Sequence, residues 1–311
     1  MRALLSLAAK VRPHASNAAW SSAEYVFYPL LMLVATPVFI ATIGTADFGL
    51  LMFVNAITGL GSAGSLGMGA ATIKFVSSAL GRGDRAEAAE SIRASLAVAL
   101  AGNTAVAIAI ALAHPWLAHT VFAQMGDADK VGTAILLASG ILVIAQTDSM
   151  FGAALRGMER FGTAARLEIG FKLLAIGAAM AVAWLTHDVI DVLMTSAAFY
   201  VASALAKGTM ASRLVGVPWL LPRLKNRAIA RGVIRFGSWN WLTTMGGLLF
   251  VHADRLLIGA LLGAQAVAFY SACTQLAQQV HALPAAAMGF LFPLMSRKAH
   301  TADARALERV R

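Results

Sequence analysis

Long apolar runs separated by short polar stretches dominate the chain. Eight of them are long enough for a bilayer core of about 30 Å, which needs about 20 helical residues. They fall near 20–43, 48–80, 92–113, 131–155, 167–185, 189–214, 236–251 and 266–294. The second is too long for one straight span and predicts a kink or a protruding end. The seventh is short and is expected to continue through Arg255 to Leu262. The pattern predicts an all-α, polytopic membrane protein with about eight transmembrane helices. His114–Phe122 reads as a helix lying at the membrane surface, with Trp116 as its aromatic anchor. The start, Met1 to Pro13, reads as a basic cytosolic helix rather than a signal peptide, because no small-residue cleavage pattern follows it.

Charge placement orients these spans. Of 25 Lys and Arg, all but Lys130 and Arg255 fall on one side if the spans alternate. This positive-inside pattern predicts a cytoplasmic membrane protein of the bacterial type, with both termini cytoplasmic. The other side carries short acidic loops with Asp47, Asp127, Asp129, Asp188 and Asp191. Composition agrees: 59% of the 311 residues are hydrophobic and 13% charged, against about 25% charged in soluble domains. Mean hydropathy is +0.72. The net charge of +10 therefore needs no nucleic-acid partner. The expected units are a six-helix lobe (1–215), a basic interfacial linker (216–235) and a two-helix segment with a basic tail (236–311). A solvated loop touching anionic lipids is the plainer reading of that linker.

Catalytic chemistry leaves no trace. The lone Cys273 excludes an internal disulfide and a multi-cysteine metal site. The seven histidines have no ligand spacing, no phosphate loop is present, and neither cofactor nor metal is implied. Gly59-Leu-Gly-Ser-Ala-Gly64 fits G-x-G-x-x-G, but that pattern requires a preceding strand and here lies in an apolar helical run. Gly59, Gly61, Gly64, Gly67 and Gly69 together predict close helix packing or a bend in the second span.

Polar residues inside spans are expensive facing lipid. They are Glu24 in span one, Asn55 and Thr58 in span two, Gln146 and Asp148 in span four, and Asn240 and His252 in span seven. Asp254 and Arg255 are expected at the outer end of span seven. Gln275, Gln278, Gln279 and His281 follow in span eight. Each one fits interhelical hydrogen bonding. As a group they also fit the lining of a wet cavity. Asp254-Arg255 fits an interface anchor or a gate, and Arg156 with Arg160 fits lipid headgroups or a phosphorylated substrate.

Several strings carry a family resemblance. Thr36-Pro-Val-Phe-Ile-Ala-Thr-Ile-Gly44 with Asp47-Phe-Gly-Leu50 resembles the first hairpin of the polysaccharide-biosynthesis flippases. These belong to the multidrug/oligosaccharidyl-lipid/polysaccharide exporter superfamily. Asp254-Arg-Leu-Leu-Ile-Gly259, Leu262-Gly-Ala264 and Val267-Ala-Phe-Tyr270 resemble its passage from span seven to span eight, and Phe292-Pro-Leu-Met-Ser296 resembles the end of span eight. The resemblance implies a non-enzymatic, two-lobed transporter. It would move a polyprenyl-pyrophosphate-linked oligosaccharide across the membrane by alternating access. Polysaccharide polymerase and glycosyltransferases would be its associates. Spans one, two, seven and eight would line the cavity, which carries over to Glu24, Asn55, His252, Gln275 and Gln279. For a pyrophosphate the spans offer Arg255, Lys74, His252 and His281. A cation-coupled drug exporter using Glu24 or Asp148 is the nearest rival, and a membrane enzyme or scaffold of polysaccharide assembly a further one.

An internal repeat completes the reading. Shifted by 219 residues, Gly44 meets Gly263 and Asp84 meets Asp303, and with one deletion Ile92-Arg93 meets Val310-Arg311. Parallel repeats then predict six helices packed against the first two of a second lobe, with apolar faces left exposed on the latter. Such a chain is expected to fold poorly and not to transport by itself.

Overall fold

In a computed structural model the backbone is described for residues 2–308, and side chains for residue 27 and for 30–277 except 248, 250 and 251. Helix follows helix: α1 Arg2–Gly61, α2 Met68–Gly81, α3 Arg85–Trp116, α4 Ala128–Gly157, α5 Phe161–Thr186, α6 Val189–Val215 and α7 Arg227–Glu308. The described residues contain no strand. Six stretches among them are long and apolar enough to cross a membrane: Leu30–Ser65, Arg85–Val121, Ala128–Gly157, Phe161–Thr186, Val189–Val215 and His252–Ala277.

Two helices bend at a single glycine. Gly44 in α1 has φ 83° and ψ 167°, and Gly263 in α7 has φ 82° and ψ −177°. Only glycine occupies this region without strain. The two arms of α1 and the two of α7 correspond to predicted spans one, two, seven and eight. The repeat shift of 219 residues pairs the two bends.

The predicted break in span two lies between α1 and α2. Ser62–Ser65 winds as a tight 3-10 turn, then Leu66 and Gly67 take left-handed conformations. Packing and bending coincide there. A Cβ on Gly67 would run into the Gly237 carbonyl, one on Gly102 into that of Gly64, and one on Gly61 into Leu142. Gly59 packs on the His252 ring, whereas Gly69 faces open space.

Short polar side chains start α3, α6 and α7. Asp84 accepts from the Glu87 N–H at 2.8 Å, Asp188 from Ile190 at 3.0 Å, and Asn226 from Ala228 at 3.0 Å. These satisfy first-turn donors that would otherwise be orphaned. Tight turns make α3 to α6 alternate in direction, so α2/α3, α4/α5 and α6/α7 turn at one basic end. The opposite end is tied by Lys130, whose ammonium lies 2.7 Å from Asp47 and 3.7 Å from Asp188.

Four expectations change. His114–Phe122 does not lie apart at the surface: α3 runs through Trp116 and continues as a π turn over Leu117–Val121, because Pro115 sits where the chain can still wind. The linker is shorter than 216–235, since Asn226 caps α7 and Arg227 begins it. Asp254 and Arg255 are not at the outer end of their span. The bend is at Gly263, nine residues further on, or about 13 Å at 1.5 Å per residue. Finally, Lys172 and Lys207, counted with the basic loops, lie within α5 and α6.

Candidate functional site

The described helices, α7 included, pack as two apolar clusters. One gathers Phe39, Phe48, Phe53, Ile135 and Leu193 toward the Lys130 end. The other gathers Met68, Ile92, Phe151, Leu155 and Val233 toward the basic end. A charged network falls between them along α4, α5 and α6. Asp148 is nine residues before the end of α4, Lys207 eight before the end of α6, and Glu168 seven after the start of α5. All three therefore sit about 12 Å from the basic end.

Their contacts are direct. The Lys207 ammonium donates to Asp148 at 2.7 Å and also to Glu168. Ser203 donates to the other Asp148 oxygen at 2.7 Å. Lys172 meets the second Glu168 oxygen at 2.9 Å, one helical turn along α5. Lys207 is fully buried and Asp148 nearly so. Two acids and two bases alternate, so every buried charge faces an opposite one, the condition under which ions are tolerated away from water.

This network floors a cavity of about 350 Å³ between α1, α4, α5 and α6. Asp148, Glu168, Lys172 and Ser203 supply its charged end. Phe39, Leu51, Ile176 and Leu193 supply an apolar one. Asn55 also borders it.

A second polar zone runs along the seam between α1 and α7. The Thr36 hydroxyl donates to the Gln275 carbonyl oxygen at 2.6 Å, and the Gln275 amide lies 3.5 Å from the Met52 sulfur. Tyr270 donates to Asp254, joining the two arms of α7, and Arg255 reaches Thr274 at 3.4 Å. The His252 Nδ1 and Arg255 Nε atoms are buried without a hydrogen-bond partner.

The sequence-selected residues thus divide. His252 and Gln275 lie at the seam against α1, and Asp254 and Arg255 contact the second arm of α7. Asp148 and Asn55 belong to the lobe cavity. Thr58 returns its hydroxyl to the Val54 carbonyl of its own helix at 3.0 Å. The side chains of Glu24, Gln279 and His281 lie outside the described residues. Lys74, considered for a phosphate, lies 3.9 Å from the centre of the Phe236 ring in a cation–π contact. No three His, Cys, Asp or Glu side chains converge as a metal site among the described residues.

Glu168, Lys207 and Ser203 were missed. Half of the signal was available: an acid deep in an apolar run demands an opposite charge at its own depth. That Lys207 lies eight residues from the end of α6, nearly as deep as Asp148 in α4, needed the helix ends.

Comparison with known proteins fits this membrane-embedded arrangement. The uncharacterized membrane protein EpsK of Bacillus subtilis (strain 168) is 20% identical over 264 residues, covering 84% of this chain and 52% of that protein. The chain thus spans about half the length of this curated relative. The family described as polysaccharide biosynthesis protein matches residues 15–298, nearly the whole chain. With its long apolar helices, the chain is a multi-pass membrane protein and belongs to the polysaccharide biosynthesis protein family.

Proposed function

We propose that the chain acts in polysaccharide export, as part of a transporter that flips a polyprenyl-pyrophosphate-linked oligosaccharide across the cytoplasmic membrane without enzymatic chemistry. The observation that carries this reading is the polar seam between α1 and α7. Thr36–Gln275 joins α1 to α7 and His252 packs against Gly59 of α1, while Asp254–Tyr270 joins the two arms of α7, all within apolar helices. Polar groups at such a meeting line the path of a polar cargo in transporters that rock one body against the other. The basic end faces the cytoplasm in this reading. Polymerase and glycosyltransferases work on the same lipid-linked intermediate.

Disrupting the gene in its native cell should abolish surface polysaccharide while complete lipid-linked oligosaccharide accumulates in the inner leaflet. Truncated lipid-linked glycans would instead mark an enzyme of assembly, and normal export would end the proposal. His252→Ala and Gln275→Leu should each lower export at near-normal membrane levels. For orientation, single cysteines at Asp129 and Asn226 on a Cys273→Ser background should react differently in intact cells. An impermeant reagent outside should label only the first, and labelling at Asn226 would reverse the topology.

The charged network supports a second reading, in which Asp148 carries a coupling cation for the same transport or for drug export. Asp148→Asn should then remove the dependence of transport on the ion gradient. Unchanged gradient dependence in a folded variant would sink it.

A further inference from the structure

The segment from Gly216 to Asn226 crosses the basic end as an extended strap between α6 and α7. It is fastened to α3: the Arg223 N–H donates to the Arg93 carbonyl at 3.3 Å, and the Arg93 guanidinium donates to the Trp219 carbonyl at 3.3 Å. Leu220 is buried beneath the strap, whereas Trp219, Leu221 and Leu224 are exposed. An open groove of about 680 Å³ lies between the strap, the first turns of α3 and the start of α7. Its charged lining residues are Glu90, Arg93, Lys225 and Arg227. Glu90 is occupied by Arg93 at 2.9 Å, and Asn226 spends its side chain on capping α7. Lys225 and Arg227 are exposed, and the one acid lining the groove, Glu90, is the one paired with Arg93. From Glu168 to Asp254 only Asp188 and Asp191 are acidic, and both belong to the other end of the helices.

We infer that this groove binds the phosphate headgroup of an anionic membrane phospholipid, with Lys225 and Arg227 as its ligands. Two uncompensated cations beside a concave surface suit a phosphodiester. The neighbouring exposed Trp219, Leu221 and Leu224 identify the source. A free anion or an acidic protein has no use for apolar side chains alternating with Arg223 and Lys225, while acyl chains and the headgroup layer accommodate both. The site lies at the inner boundary of the helices, away from the α1/α7 seam. It fixes the strap joining α6 to α7 at the membrane surface.

The test uses the full chain in mixed micelles. Probes are a phosphatidylglycerol, a phosphatidylcholine with the same acyl chains, and inorganic phosphate. Native mass spectrometry counts retained lipid, and a titration gives the apparent affinity. Wild type should retain one phosphatidylglycerol in preference to phosphatidylcholine and should not exchange it for phosphate. Lys225→Gln with Arg227→Gln keeps the Asn226 cap and the Arg93 contacts. It should weaken phosphatidylglycerol binding by about thirtyfold, from about 1 kcal/mol per basic residue near an anionic surface, with an unchanged melting temperature. Arg213→Gln with Arg235→Gln removes the same charge from exposed positions outside the groove and should leave binding near wild type. Equal weakening in both double variants would replace the site by diffuse charge attraction. Equal retention of phosphatidylcholine, or displacement by phosphate, would overturn the lipid assignment.

Discussion

The surroundings of Gly44 and Gly263 differ although the bends themselves match. Displaced by 219 residues, Phe48 and Val267 are both fully buried, and Gly49 and Ala268 are buried as well. Gly49 is pressed against the Ala264 carbonyl, so α1 and α7 share this face with each other. The remaining faces part ways. Ile43 is 8% exposed and its counterpart Leu262 70%; Leu50 is 3% and Phe269 64%; Ile57 is 8% and Leu276 56%. α1 has α4, α5 and α6 behind it, and the described part of α7 has no equivalent bundle. The same apolar pattern serves both, because in a bilayer lipid tails are as acceptable to Leu as another helix is.

The largest effect should come from the bundle behind α1. Lys207→Met strands Asp148 in the interior, leaves Glu168 to Lys172 alone, and should cost about 3–5 kcal/mol, read as lost thermal stability in detergent. Adding Asp148→Asn should recover part of it. Full stability of the single variant would mean that the network is wet and the α1 side is not a dry core.

Next come matched truncations. Leu50→Ala should cost about 2–5 kcal/mol, the usual range for a buried leucine. Phe269→Ala, at the equivalent place on α7, should cost well under that. Equal losses would show that the outward face of α7 is packed against protein.

Smaller still is the contrast between the bends. Gly44→Ala and Gly263→Ala both force a side chain into a glycine-only conformation, at about 1–3 kcal/mol. Gly263→Ala should be the worse, since its Cβ would meet the Gln124 carbonyl while that of Gly44 meets nothing. The reverse order of melting temperatures would contradict the packing around Gly263.

The least perturbing probe compares thiols. Cys273 is exposed and Val54, its counterpart, fully buried. A permeant maleimide should modify native Cys273 in detergent, and should fail on Val54→Cys made with Cys273→Ser. Comparable labelling of both would erase the difference between the two regions.

These contrasts mark what could be read beforehand. Self-comparison of the sequence paired Gly44 with Gly263, and both carry the same backbone, because a glycine-only conformation leaves a fixed residue as its signature. The break around Gly64–Gly67 was legible for the same reason. Asp148 was singled out by its cost in an apolar run. Its partners were not, because Lys207 near a helix end looks like part of a basic loop until the end of α6 is known. The Asp254–Arg255 pair was misplaced because hydropathy falls at charged residues whether or not the helix stops there.

The sequence alone determined that the chain crosses a membrane as a series of helices, where those helices bend, and which end of the bundle is basic. Length against bilayer thickness, glycine stereochemistry and the cost of burying charge act locally along the chain. Which apolar face is buried against another helix and which is left exposed, and that Lys207 of α6 answers both Asp148 of α4 and Glu168 of α5, only the tertiary structure decided. Lateral neighbours are chosen by shape and by opposite charge at equal depth, and neither is written in the order of residues along one helix.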